Sequence, residues 1–445
     1  MSKNIHEIRD PIHVFVRLDS HEREVLNSRA FQRLRHIHQL ALTYLVYPGA
    51  THKRFEHSLG VMELAGRVFD VVTDPDNVTD EIRNLLRPLN NKGELIYWRR
   101  VLRMAALCHD IGHLPFSHAA EKELLPNGWD HERLTREIIG CDEMKAIWEQ
   151  ITPPLSRCED IVKLAVGQKK AKDLEFSVWE TILSEIIVGD AFGVDRMDYL
   201  LRDSHHAGVG YGKFDHYRLI DTLRILPTPP SDEEGGSQEP GLGVEEGGIQ
   251  SAEALMLARY FMYSQVYFHP VRRIYDIHLK DFLKEWLDGG VFSINLQRHL
   301  GMTDNEVTGA LLDAAFDESK PGHLRARRIV RREHFKLIYE RNPIDVEINP
   351  EAGKAVFEAL GAEFGAEKFR HDRYYQGSGA TDFPVRLRDG QIVSSLAMSE
   401  TLNRVPVVSI DYVFAERSIF DRAKKWLNQH RPEIIKPAEE EGENE

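Results

Sequence analysis

From Ser20 to about Leu226, apolar residues recur three and four positions apart with few β-branched runs, which predicts a succession of amphipathic helices. The pattern stops at Pro227–Gly248 (PTPPSDEEGGSQEPGLGVEEGG), whose Pro, Gly, Ser and Glu content predicts a surface excursion. It resumes at Ser251. There SAEALMLARYFMYSQVYFHPVRRIYDIHLKDFLKEWL reads as one long helix, capped by Ser251 with Glu253 close behind and kinked at Pro270. Toward the C-terminus the period changes: HFKLIYE, DFPVRLRDGQIVSSL and PVVSIDYVFAE read as strands, the middle one folding at an Asp389-Gly390 turn. Past Pro437 the acidic AEEEGENE has almost no apolar group and is expected to be disordered.

These elements predict a mainly α protein: a helical catalytic domain over residues 1–330, with the excursion at 227–248, a smaller α+β region over 331–436, and a tail at 437–445. At 445 residues the chain exceeds what one core usually serves, and a 42% hydrophobic content is enough for two. No uninterrupted apolar run of about 18 residues occurs, and the opening MSKNIHE lacks the apolar stretch of a secretory signal, so a cytoplasmic protein without a membrane span is expected. The three cysteines, Cys108, Cys141 and Cys158, form no CxxC pair, which argues against disulfide stapling and a thiolate zinc site. A net charge of −14 argues against a generic nucleic-acid binder. One basic run, Arg325, Arg327, Arg328, Arg331, Arg332 and Lys336, reads either as a solvated face or as a patch that holds phosphate. No GxxxxGK[ST] phosphate loop, HExxH or internal repeat is present.

The segment LRMAALCHDIGHLPFSH puts His109 and Asp110 at the end of an apolar helical run, with Gly112, His113, Pro115 and His118 close behind. So many histidines beside a carboxylate are difficult to explain as packing. Imidazoles with a carboxylate suit borderline cations such as Fe, Mn, Co, Ni or Zn, whereas an all-oxygen set would suit Mg or Ca. Neighbouring residues diverge on a helix, so His109 and Asp110 reach one ion where the helix ends or the local geometry favours it. Further ligands are offered by RFEHSLGVMELAGRVF, with His57, and DAFGVDRMDYLLRDSHHAG, with Asp195. On the second of these, at ~100° per residue, Asp195, Asp198, Tyr199, Arg202 and His206 share one side, and Met197, Leu200 and Leu201 the other. That polar face reads as a cavity wall or as a surface helix with i, i+4 ion pairs.

The order His57, His109-Asp110, Asp195 resembles the HD phosphohydrolase superfamily. ALCHDIGHLPFSH, RFEHSLGV and DRMDYLLRDSHH look like the corresponding segments of deoxynucleoside triphosphate triphosphohydrolases, among them the dGTPases and the animal SAM-and-HD-domain enzyme. The likeness runs from about Asp10 to Asp281 and takes in DPIHVFVRL, FQRLRHIHQLALTYLVYPGATH and YSQVYFHPV, and no SAM domain is expected ahead of it. It implies a helical HD-domain phosphohydrolase fold and cleavage between the deoxynucleoside 5′ oxygen and the α-phosphorus, releasing deoxynucleoside and intact triphosphate. By the same resemblance, His57, His109, Asp110 and Asp195 would hold a divalent transition metal, with an accompanying Mg ion on the triphosphate left open. His113 and His118 would face the α-phosphate, with Glu121 orienting His118 as a general base or acid. His131 matches a family histidine near the leaving side, the alternative being a capping or surface histidine. Arg54, Arg196, Tyr199 and Arg259 align with triphosphate contacts. Gln39, Asp203 and Tyr267 match residues that read the sugar, with an ion pair to Arg202 as the alternative for Asp203.

The match weakens where the animal enzyme binds its activator. Asn27 stands in place of an Asp that reads guanine, although Gln32 and Arg35 match; Tyr47 replaces a Phe, and His6, Glu7 and Arg9 depart as well. Activator-driven tetramer assembly therefore does not carry over, while a homo-oligomer, dimer or tetramer, is expected; base preference and the need for a nucleotide activator stay open. The competing functions are another HD nucleotide phosphatase or phosphodiesterase, with a smaller anion site, and a nucleotide-sensing scaffold, which intact ligands and an acidic chain disfavour.

Overall fold

The computed structural model describes residues 5–117, 121–151, 158–228, 239–375 and 381–436 and is mainly α, with a smaller α+β part. The described residues fall into two compact units, both discontinuous in sequence. The first draws on Met1–Met262, Val291–Val307 and Ser378–Pro406, and the second on Tyr263–Gly290, Thr308–Gly377 and Val407–Glu445. The boundary read at 330/331 thus falls inside the second unit, and the DFPVRLRDGQIVSSL hairpin, expected in the C-terminal region, belongs to the first.

In the first unit the helices Arg54–Val72, Lys92–Cys108, Cys158–Val166, Val178–Val188 and Val194–Ala207 pack on one another. Their ends are set locally. Glu56 accepts from the Lys53 backbone N–H at 2.7 Å at the start of the His57 helix, Ser177 and Glu180 form a reciprocal cap on Val178–Val188, and Gly208, at φ 72°, closes the Asp195 helix in the left-handed region. A hairpin, β1 (Ile5–Asp10) and β2 (Val14–Asp19), precedes the first helix, which starts at Ser20 with Asp19 as its cap.

A second sheet has the order β3 (Leu223–Leu226), β4 (Gly241–Glu245), β7 (Pro384–Arg386), β8 (Ile392–Ser394), with β4 and β7 parallel. Two expectations are corrected here. Leu223–Leu226, read as the end of a helical stretch, is a buried strand, and Gly241–Glu245, inside the expected excursion, pairs with it. Gly243, which looked like loop, is there for close approach: a Cβ on it would lie 2.2 Å from the Pro384 carbonyl oxygen. Residues 229–238 of the excursion and the tail at 437–445 lie outside the described residues.

The long helix expected from Ser251 is also corrected. It begins at Ile249, ends at Met262, and passes through a π-helical turn, Tyr263–Tyr267, before a new helix, Pro270–Trp286. Proline has no N–H to lose at a first helical position, so Pro270 opens a helix rather than kinking one, and His269 Nδ1 caps it by accepting from Val271 N–H at 3.2 Å. Glu253 plays no capping part; it accepts from the Ser399 hydroxyl.

The second unit is built on an antiparallel sheet, β5 (Lys336–Glu340), β9 (Ser409–Ala415), β6 (Phe369–Tyr375) in that order, with Ala352–Phe364 and Phe420–Ile434 burying Val356, Leu360 and Leu427 in its core. The basic run is spent on surface pairing: Arg325 donates to Glu285 at 2.9 Å, Arg327 to Glu333 at 2.9 Å, and Arg328 lies 4.4 Å over the Phe335 ring. Among the described residues no helix is long and apolar enough to cross a membrane.

Gly112, just past the Lys92–Cys108 helix, runs so close to the helix His131–Ile139 that a Cβ would lie 2.3 Å from His131 O and 2.4 Å from Thr135 N, both backbone atoms. Gly112→Ala is therefore expected to cost ~1–3 kcal/mol or more of stability. Gly309→Ala, in the helix Asp304–Phe316 with nothing within 4 Å of its Cβ, should instead add ~0.5–1 kcal/mol. Urea unfolding of both variants checks the contrast.

Candidate functional site

The Lys92–Cys108 helix ends with His109 as its C-cap, and the chain then turns tightly, Ile111 N–H donating to Cys108 O at 3.1 Å and His113 N–H to Asp110 O at 3.2 Å. The turn brings two neighbouring side chains into one space. His57 meets them there: His57, His109 and Asp110 each place a ligand atom within 4.8 Å of the others. Asp195, in the first turn of its helix, sets Oδ1 3.0 Å from His57 Nε2 and 3.4 Å from His109 Nε2, while Asp110 oxygens lie 3.6 and 3.4 Å from the same two nitrogens. Donors held by one ion at ~2.0–2.2 Å are about 2.8–3.6 Å apart at octahedral to tetrahedral angles. The cluster has that spacing.

Each imidazole is aimed through its other nitrogen. His109 Nδ1–H donates to Ala106 O at 2.8 Å and His57 Nδ1–H to Asp198 Oδ2 at 2.8 Å, turning both Nε2 atoms toward the cluster. His109 Nε2 is buried without a hydrogen-bond partner, an orphan that a cation would satisfy. The residues present therefore fit a divalent transition metal with mixed nitrogen and oxygen ligands. The polar helix face divides accordingly. Asp195 faces the cluster, whereas Asp198 and Arg202, both fully buried, form an ion pair behind it instead of lining a cavity.

Burial alone would depress the His57 imidazole, but hydrogen bonds to Asp195 and Asp198 push it up to about 10. Burial would raise Asp110, yet the Arg54 guanidinium on its Oδ2, with His109 and His113, holds it well below the usual carboxylate range. His113 Nε2 lies 3.1 Å from Asp110 Oδ1; burial, Arg54 and His131 keep this imidazole well below its ordinary value and hence neutral. His131 stacks on it, ring centroids 4.0 Å apart. Burial works against its charge too, but its 2.5 Å bond to Glu121 raises it, so the two stacked rings are shifted in opposite directions.

Glu121 accepts from both the ring Nδ1–H and the backbone N–H of His131, while its expected partner His118 lies outside the described residues. Arg54 also donates from Nε to Ser117 Oγ at 2.8 Å. Phe116 and Ser117 have φ of 54° and 50°, a left-handed backbone that costs ~1–3 kcal/mol per residue. Asp304 holds it, accepting from Phe116 N–H at 2.7 Å and from His38 N–H at 2.7 Å. Gln39 and Asp203 are joined by a residue that the sequence did not single out: His52 O accepts from Gln39 N–H at 3.0 Å, and His52 Nε2 bonds Asp203 Oδ1 at 2.7 Å. Arg202 turns to Asp198 and Asp10 rather than to Asp203. Gln39 Oε1 is buried without a partner.

Arg196 Nη2 lies 3.9 Å from Asp190, whose carboxyl is held down by Lys169 first and then by the charges of Arg196 and Arg259. Tyr199 is half-buried on the same helix as Asp195. Tyr267 belongs to the second unit, at the end of the π-helical turn. A cavity of about 570 Å³ is lined at one end by His109, Asp110, His131 and Asp195, and elsewhere by Lys169, Lys170 and Asp190, charges that follow no pattern in the sequence.

A model of the HD domain matches residues 54–202, and one of the HD associated region matches residues 214–356. An uncharacterized protein of Methanocaldococcus jannaschii is 39% identical over 273 residues, 61% of this chain and 48% of that one. Another from Bacillus subtilis is 37% identical over 277 residues, 62% of this chain and 54% of its own. The deoxynucleoside triphosphate triphosphohydrolase SAMHD1 of Homo sapiens is 30% identical over 301 residues, 62% of this chain and 44% of its own. The chain therefore spans about half the length of the curated relatives it matches. Among solved structures, a hypothetical protein from Aquifex aeolicus aligns with a TM-score of 0.76 at 31% identity, over 95% of this chain and 100% of that one.

Mn²⁺ or Co²⁺ is expected to stabilise the native chain by mass action, about 2.7 kcal/mol at a hundredfold excess over Kd, and to leave Asp110→Ala unchanged; thermal melts with and without metal check this. In the metal-free protein His57 holds its proton up to about 10, against an ordinary 6.5. That contribution to stability is complete below pH 6.5 and is lost as pH rises toward 10. Melts in chelator across this window should show Tm falling, and His57→Gln should flatten the fall.

Proposed function

Because the chain belongs to the HD-domain family of metal-dependent phosphohydrolases, we propose that it hydrolyses deoxynucleoside triphosphates to deoxynucleoside and inorganic triphosphate. One observation carries the sugar-bearing substrate: Gln39 Oε1 is a buried acceptor without a partner, on a residue whose backbone N–H is joined through His52 to Asp203. A sugar hydroxyl would satisfy it by donating to Oε1. This socket is delivered by the elements that deliver the metal ligands, for His52 sits just ahead of the His57 helix and Asp203 lies along the Asp195 helix, about 12 Å of rise from Asp195. Similarity to a deoxynucleoside triphosphate triphosphohydrolase supports the same reading.

When bound, the metal would supply Lewis acidity toward the α-phosphoryl oxygen and toward water. The chain does the rest. Arg54 is oriented in advance by Asp110 and Ser117, so its charge meets a phosphate chain without further ordering, and Arg196 and Arg259 extend that charge. His131, whose charged form Glu121 favours, donates to the departing 5′ oxygen, and His113, neutral between it and Asp110, holds the ring in place.

Incubating the metal-loaded protein with each dNTP and with GTP, alone and mixed, should yield deoxynucleoside and intact triphosphate, and Asp110→Ala should yield neither. Release of single phosphates would instead favour the phosphatase reading. His131→Ala should lower kcat by ~10²–10⁴-fold, since it removes the proton donor. Gln39→Ala should lower kcat/KM by up to about tenfold, and this loss should vanish with a 2′,3′-dideoxy substrate, which lacks the hydroxyl Gln39 would hold.

A further inference from the structure

Behind His57 a closed chain of buried polar groups reaches the N-terminal hairpin. Asp198 Oδ2 accepts from His57 Nδ1–H at 2.8 Å, and its Oδ1 from His13 Nε2–H at 2.6 Å. Arg202 clamps the same carboxylate with Nε at 2.8 Å and Nη2 at 2.9 Å, and its Nη1 donates to Asp10 Oδ2 at 2.8 Å. Asp10 Oδ1 in turn accepts from the backbone N–H of Ile12 and of His13, each at 2.8 Å. None of these side chains belongs to a residue more than 5% exposed. Gly60 makes the room: a Cβ there would lie 1.9 Å from Asp198 Oδ1 and 2.5 Å from Arg202 Nη2.

A buried ion pair that only tied two helices together would not need to end on the metal-facing imidazole at one side and on a turn at the other. If Asp198 moves, His57 loses the acceptor that fixes which nitrogen carries the proton and where the ring points. Asp198 cannot move without Arg202, and Arg202 is held by Asp10. The turn that Asp10 organises leads directly into Val14 at φ 66°, a left-handed conformation costly for a β-branched residue, so the turn relaxes once its hydrogen bonds are lost. Hairpin seating and His57 orientation are therefore parts of one state.

We propose that Asp198 is a positioning residue for His57, and that docking of the Asp10–His13 turn and metal binding are linked, each strengthening the other. Linkage of this kind is reciprocal. The inference rests on the reading of His57, His109, Asp110 and Asp195 as metal ligands.

The test titrates Mn²⁺ into the full chain, stripped of metal, by calorimetry, and follows Co²⁺ by its visible absorption. Asp198→Asn should bind ~10–100-fold more weakly with a changed Co²⁺ band, and Asp10→Asn, which touches no ligand, about fivefold or more weakly. Glu7→Ala, on the exposed side of the hairpin, should bind as the native chain does. In the native protein, metal should slow amide hydrogen exchange across β1, β2 and their turn. Native affinity in folded Asp198→Asn, or hairpin exchange indifferent to metal, overturns the proposal; if Asp198→Asn does not fold, the exchange measurement on the native chain decides it. Undiminished affinity in His57→Ala would instead remove the metal-site reading on which it rests.

Discussion

A carboxylate taken out of water is tolerated only where donors replace the solvent around it, and Asp198 is the carboxylate on which this site is built. Left alone at its depth it would cost on the order of tens of kcal/mol. Two nitrogens of Arg202, one of His13 and one of His57 surround it, and Arg202 holds it well below the usual carboxylate range against the push of burial. Breaking such a buried pair by removing one partner typically costs ~3–5 kcal/mol. The arrangement accordingly constrains its neighbours: Gly60 has no room for a side chain, and Asp10 is committed to Arg202.

The face that holds Asp198 in the core also presents Asp195 one turn earlier, so a single helix supplies both a candidate metal ligand and the group that aims a second one. His109 and Asp110 solve a different problem. Adjacent residues on a continuing helix would diverge, and the chain brings them together by ending the helix at His109 and turning at once. The loop beyond carries left-handed backbone at Phe116 and Ser117, which Asp304, far along the chain, keeps in place. Strain at the site is thus offset by a hydrogen bond from outside it.

How much of this could be read from the chain depended on how local each signal was. HDIGH and the apolar helix before it are written in adjacent residues and could be read directly. Gly241–Glu245 was misread because glycine marks both loops and places where strands press together, and only the Pro384 carbonyl distinguishes them. Pro270 was ambiguous for the same reason, since a proline serves equally at a kink and at a first helical position until the break at Tyr263–Tyr267 is seen. His52 drew no notice, because a lone histidine between Thr51 and Lys53 carries no pattern; its role comes from Gln39 and Asp203, one on either side in the sequence.

The sequence by itself determined the elements and the chemistry they carry: helical periodicity, an HD motif at a helix end, histidines and carboxylates suited to a divalent transition metal, and a polar face on the Asp195 helix. These follow from side-chain order and spacing, which the chain states outright. Tertiary structure alone decided which member of that face turns to the candidate metal cluster and which is the anchor behind it, that Glu121 bonds His131, that Arg54 rests on Asp110, and that the N-terminal hairpin reaches His57 through Arg202. Such pairings join residues up to 192 positions apart. Hydrogen-bond geometry is set by where folded elements come to lie, and burial decides which charges must be paired, neither of which is present in the chain until it packs.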